Sequence, residues 1–175
     1  AEKFCKIMGS PGGATTLTYT GGTNTIAFTY NVSKATTAGH GIFDLKFQGP
    51  SSTGSTCGVY LGGLGADDNK GFSGGMVSGV QIRGFGVGMV VGNNTFCLTL
   101  DNVVINFCGR LLYEKGNAGA GATAWNVAGT NTVNAGENMR VIDCIFADSD
   151  NQLFGQSTAR FAVYLQNSGL TDWNF

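Results

Sequence analysis

What this chain has least of is charge. Asp, Glu, Lys and Arg together make up 12% of its 175 residues, and the formal net charge is −1. No basic field exists for nucleic-acid phosphates, and no block of like charge marks a solvated tail. Proline occurs twice and histidine once. A Ser-His-Asp triad would have to run through His40, which lies in Gly39-His40-Gly41 and reads as a turn residue rather than a base. The five cysteines show no Cys-x-x-Cys spacing, which argues against a zinc site and against a disulfide framework. No run approaches the roughly 18 apolar residues of a membrane span, so membrane insertion is not expected. Residues Ala1 to Cys5 carry neither an initiator Met nor the basic and apolar regions of a secretory signal, and the sequence reads as a processed product or a piece of something longer. Absent too is any sustained i, i+3/i+4, i+7 pattern with caps, which removes helices from the expectation.

What is present is glycine, 29 residues, with abundant Thr, Asn and Ser and an apolar content of 42% spread along the whole chain. That mixture excludes disorder and favours short strands joined by tight turns in a single domain. The stretch Gly79–Tyr113 shows how the strands are arranged. Val80-x-Ile82-x-Gly84-Phe85-Gly86 is answered by Val103-x-Ile105-x-Phe107-Cys108-Gly109, with Ile105 following Ile82 by 23 residues. Each is followed by a second apolar run, Gly88–Val91 and Leu111–Tyr113. A period of this size, broken by Gly and Asn, predicts a solenoid whose repeat is one coil of β-structure. Leu45–Gly49 aligns with Val80–Gly84, and Gly58–Gly62 with Gly88–Gly92. Further along, Val141 is placed on Ile105 and Asn138 on Asn102, and Leu170–Phe175 is placed on the stretch from Val141. The apolar pairs 80/82, 103/105, 139/141 and 163/165 are then expected to point inward and stack at about 4.8 Å. Excess length falls in loops, of which 117–136 is the longest. Residues 1–37 are read as strands and loops leading into the solenoid and 38–175 as about five coils, the last broken off in mid-coil at Phe175. Such an end exposes unpaired backbone, so further chain or another protein is expected to cover it.

The pieces LKFQG (45–49), VQIRGFG (80–86), NVVINFCG (102–109), NMRVIDCIF (138–146) and LTDWNF (170–175) resemble the right-handed parallel β-helix of pectate-lyase-like proteins. Within that group they look most like bacteriophage tailspikes and capsule depolymerases. The likeness covers roughly residues 42–175 and concerns architecture more than chemistry. It implies an all-β, right-handed parallel β-helix in a homotrimeric virion appendage that binds, and in some members cleaves, a bacterial surface polysaccharide. Three functions stand side by side: a glycan-recognising tailspike segment, a depolymerase (a glycoside hydrolase before a lyase), and a purely structural shaft or adhesin segment. No cofactor or metal is implied, because the arginines Arg83, Arg110, Arg140 and Arg160 have no dense acidic cluster beside them.

Candidate residues follow from the chemistry of sugars. Loop-borne acids can protonate a leaving group, and Asp148, Asp150 and Glu114 lie at or beyond strand ends, with Arg160 near the first two in sequence. Aromatic faces stack on pyranose rings, and Trp125 stands in the polar insertion where no core requires it. Tyr60, Tyr113 and Tyr164 occupy second-strand positions, where outward rings would form a groove wall or a subunit interface. Trp173 is read as a core residue. Asp143 and Asp172 are assigned one repeat position, read first as a ladder of turn residues and second as paired carboxyls about 5 Å apart, as in a retaining glycosidase. Cys108 and Cys144 are likewise assigned one position and expected to stack inside as reduced thiols. The sequons Asn31-Val32-Ser33 and Asn93-Asn94-Thr95 are of a kind that chance supplies in a chain this rich in Asn and Thr.

Overall fold

The computed structural model describes residues 5–12, 14–22, 25–33, 39–50, 56–63, 70–114, 137–147, 163–165 and 172–175. Within them every regular element is a strand. The chain visits three sheets, A, B and C, in turn. The first circuit is β1 (Lys6–Met8), β2 (Thr15–Thr18) and β3 (Ile26–Tyr30), followed by the short β4 (Val32–Ser33). The second is β5 (Gly41–Phe43), β6 (Leu45–Gln48) and β7 (Cys57–Leu61), followed by the short β8 (Lys70–Gly71). The third is β9 (Met76–Ser78), β10 (Gln81–Arg83) and β11 (Val87–Val91), and the fourth β12 (Thr99–Asp101), β13 (Val104–Asn106) and β14 (Arg110–Glu114). The fifth is β15 (Met139–Ile142), β16 (Ile145–Ala147) and β17 (Val163–Leu165), and β18 (Trp173–Asn174) begins a sixth. Sheet A therefore holds six strands and sheets B and C five each, every neighbour parallel. The antiparallel pair β4–β8 straps the second circuit to the first.

The alternation of apolar residues explains the stacking. Ile42, Val77 and Leu100 share one inward column of sheet A; Phe47, Ile82 and Ile105 one of sheet B; Val59, Met89 and Leu112 one of sheet C. All nine are 2% exposed or less and belong to one continuous core. Each such side chain contributes about 1.5–3 kcal/mol relative to solvent exposure. Burial fades at both extremes of the stack: Leu17, in the column of Phe47, is 42% exposed, while Val141 and Phe146 are half-buried.

Between sheets A and B the chain turns on a single left-handed residue. Asp44 (φ 53°), Gly79 (φ 64°), Asn102 (φ 50°) and Asp143 (φ 49°) occupy the same place in successive circuits. Asp and Asn tolerate this conformation because their short polar side chains bond locally. The N–H groups of Asp44, Gly79 and Asn102 donate to the carbonyls of Ser78, Asp101 and Ile142 in the next circuit, at 3.0, 3.1 and 3.0 Å. The corner thus continues the ladder instead of interrupting it. Gly84 (φ 76°) and Phe107 (φ 52°) play the same part between sheets B and C.

Several expectations change. The pairing of Ile82 with Phe47 and Ile105 is observed. Val141, however, pairs with Leu100 in sheet A, and it is Phe146 that stacks on Ile105. Trp173 pairs with Met139, so Asp172 falls beside Asn138 and not beside Asp143. Both placements slip by five residues, for one reason. The inward columns of sheets A and B lie five residues apart in the third, fourth and fifth circuits: Val77 and Ile82, Leu100 and Ile105, Val141 and Phe146. An apolar alternation therefore fits either sheet equally well. Cys144 accordingly follows the A–B corner in the place of Val103, not that of Cys108. Val163 stacks on Leu112 and Leu165 falls opposite Glu114 in sheet C, so the pair 163/165 does not continue the columns of 103/105. Residues 6–30, read from sequence as a lead-in, already form a complete three-strand circuit.

Candidate functional site

The outward face of sheet B is polar over β2, β6 and β10 and turns largely apolar at β13 and β16. Its outward columns run Thr16, Lys46, Gln81, Val104, Ile145 and Thr18, Gln48, Arg83, Asn106, Ala147. All ten are exposed or half-buried, and no carboxylate stands among them. At the edge of this face, against the A–B corner, lies a cleft of about 300 Å³ lined by Asp44, Lys46, Gln81 and Asn102, with Gly12, Gly79, Val80 and Val104. It crosses from the first circuit, at Gly12, to the fourth. Gly79 makes the room: a Cβ at that position would come within 2.6 Å of Asp44 Oδ1. Arg83 lies with its guanidinium over the ring of Phe107, 4.8 Å from the centroid. Next to the corner, on sheet A, Ser78 donates to the Asp101 carboxylate at 2.8 Å.

The outward face of sheet C is the opposite case. Cys57, Tyr60, Val87 and Val90 form a second apolar cluster, all of them 2% exposed or less. This corrects the expectation for Tyr60. Its ring lies against Gly92, where an added Cβ would meet it at 2.4 Å, and its hydroxyl donates to the Gly63 carbonyl at 3.1 Å. With its face covered and its hydroxyl turned to the backbone, Tyr60 offers no surface to a sugar. The register gives Tyr60, Val90, Tyr113 and Tyr164 the same position on successive strands of sheet C, with Val90 between Tyr60 and Tyr113. Glu114 is the last residue of β14, in the column of Leu61 and Val91, both core residues. Trp125, Asp148, Asp150 and Arg160 lie outside the described residues.

The groups whose titration is displaced are core groups. Burial pushes the thiols of Cys57 and Cys144 up, and that of Cys108 to about 12; burial likewise lifts the Tyr30 phenol to about 12. Cys57 and Cys108 donate to the carbonyls of Val59 and Asn106, both at 3.4 Å. Thiols held neutral in this way are inert as nucleophiles. All five cysteines are free: Cys57 and Cys108 buried, as expected for Cys108, and Cys144 half-buried. His40 is 2% exposed, with its ring edge-on to Phe72 at 4.7 Å and stacked on Tyr30 at 6.2 Å. It packs as a core aromatic. Trp173 is half-buried and stacks on Phe175 at 5.9 Å. Asp143 is exposed and left-handed, which agrees with the turn-ladder reading, although Asp172 is no partner to it. The sequon at Asn93 is closed, since Asn93 and Thr95 are buried.

Lys46, Gln81, Asn102 and Asp44 were not singled out from the sequence. The signal was there: the alternation in Leu45-Lys46-Phe47-Gln48 and Gln81-Ile82-Arg83, which buries Phe47 and Ile82, turns Lys46 and Gln81 outward. No family model, curated protein or solved structure matches the chain.

Proposed function

We propose that this chain is a right-handed parallel β-helix segment that recognises a bacterial surface glycan, as part of a phage tailspike or a similar virion appendage. The observation that carries the glycan reading is the cleft at the A–B corner. It sets amide, ammonium and carboxylate groups of Gln81, Asn102, Lys46 and Asp44 on successive circuits along one direction. Donors and acceptors repeated at the strand spacing suit a ligand that is itself a repeating chain of hydroxyls. The virion setting and a homotrimeric state rest on the resemblance of the repeat. Cleavage of the glycan would rest on Asp148 and Asp150, outside the described residues, and on Glu114 at the end of β14.

The test is a glycan array of capsule and O-antigen fragments, followed by calorimetry on the best ligand. Gln81→Ala is expected to weaken binding about tenfold, the effect of losing one or two hydrogen bonds to ligand, with the melting temperature unchanged. Absence of any array signal for the wild-type chain would overturn the reading.

A further inference from the structure

Resting on the glycan reading above, we propose that the ligand is a polyanionic glycan, carboxylated or sulfated, which lies along the stacking direction on the outer face of sheet B and is held by Lys46 and Arg83. The register carries this inference. Lys46 stands opposite Gln81, and Gln48 opposite Arg83, so the two cations are diagonal neighbours one circuit and two residues apart. From a strand spacing of 4.8 Å and a rise of 3.3 Å per residue, their Cα atoms lie roughly 8 Å apart. The other two corners of that square are amides, which donate to the same oxygens that attract the cations.

The charge around them has one sign on the face itself. The outward columns of β2, β6, β10, β13 and β16 contain no Asp or Glu, and no ion pair engages Lys46 or Arg83 among the described residues. Among the described residues, the acids nearest to these columns in sequence, Asp44 and Asp143, belong to the corner at the rim. Asp44 sits over Gly79, where it can accept a sugar hydroxyl proton while Lys46 meets an anionic group. The Phe107 ring lies under the Arg83 guanidinium, 4.8 Å from its centroid, and this contact restricts the side chain and lowers the entropy lost when the fork closes on a carboxylate or sulfate. A chain lying this way meets one cation on each of two neighbouring circuits.

Fluorescence anisotropy with a labelled chondroitin sulfate hexasaccharide, compared with its desulfated and methyl-esterified derivative, separates charge from shape. The charged probe is expected to bind at least tenfold more tightly, with an affinity that falls as salt is raised. Lys46→Gln and Arg83→Gln are each expected to weaken it about five- to tenfold, Lys46→Arg to retain it, and the double variant to lose the salt dependence, at unchanged melting temperature. If the wild type bound the uncharged derivative equally well, the anionic class would be overturned while glycan recognition stood. Equal binding of labelled poly-glutamate would overturn the glycan in favour of an acidic protein partner. Silence on both probes and on the glycan array would remove the underlying reading as well.

Discussion

Sheets B and C share one core, one register and one direction of travel, yet their outer faces differ in kind. In β7 and β11 every residue is buried, and the outward positions Cys57, Tyr60, Val87 and Val90 pack into a cluster of their own. In β6 and β10 only the inward positions are fully buried, and Lys46, Gln48, Gln81 and Arg83 face outward. Both sheets are parallel and stacked in the same order; the outward side chain decides which face is open to solvent. A parallel strand buried on both sides reads as a continuous apolar run, and one buried on a single side alternates. Cys57–Leu61 and Val87–Val91 are of the first kind, Leu45–Gln48 and Gln81–Arg83 of the second.

The largest expected effect is a charge placed on each face in turn. Val90→Asp puts an unpaired carboxyl into the buried outer cluster and is expected to cost about 3–5 kcal/mol or to prevent folding. Gln81→Asp on sheet B is expected to stay within about 0.5 kcal/mol. Urea denaturation of the two variants checks this, and equal losses would erase the distinction between the faces. A smaller effect is expected at the corner where sheet B begins. Asn102→Val forces a β-branched residue into φ 50° and is expected to cost about 1–2 kcal/mol, whereas Asn102→Gly relieves the conformation. Equal unfolding midpoints for the two would show that the corner carries no strain.

The smallest effect is alkaline. Cys108 has its folded pKa raised from 9.0 to about 12, so the unfolded chain loses that proton first. Its contribution to stability is complete below about pH 9 and is lost as pH rises from there toward 12. Unfolding free energies measured between pH 8 and 11 should fall with pH, and fall less steeply in Cys108→Ala. A residual slope is expected in both, from the Cys57 and Cys144 thiols, which burial also raises, and from Tyr30, raised from 10.0 to about 12.

The middle of the molecule was legible because its circuits are short. The 23 residues from Ile82 to Ile105 leave no loop in which the pattern could slip, and every residue of that pairing is where the repeat put it. Beyond 115 the insertion removes the count, and the five-residue interval between sheets A and B lets Val141 pass for a sheet B residue. Tyr60 misled for a different reason: its class suits a sugar-binding wall as well as a second hydrophobic layer, and only the continuous apolar run around it tells the two apart. Lys46 and Gln81 are readable from alternation alone, but a lone Lys or Gln on a strand carries no chemical signature, whereas aromatic residues and acids stand out against the polar background of the loops.

The single-residue A–B corner makes the stack divisible. Ser78 and Asp101 hold the same place in successive circuits, and so do Gly79 and Asn102. Cutting before Gly79 and rejoining Ser78 to Asn102 would remove one whole circuit of 23 residues and leave a left-handed Asn at the joint, followed by Val103 in the place of Val80. Length is therefore a quantised property of this architecture, adjustable by whole circuits at that seam. A ligand lane running across the circuits would lengthen or shorten in the same steps.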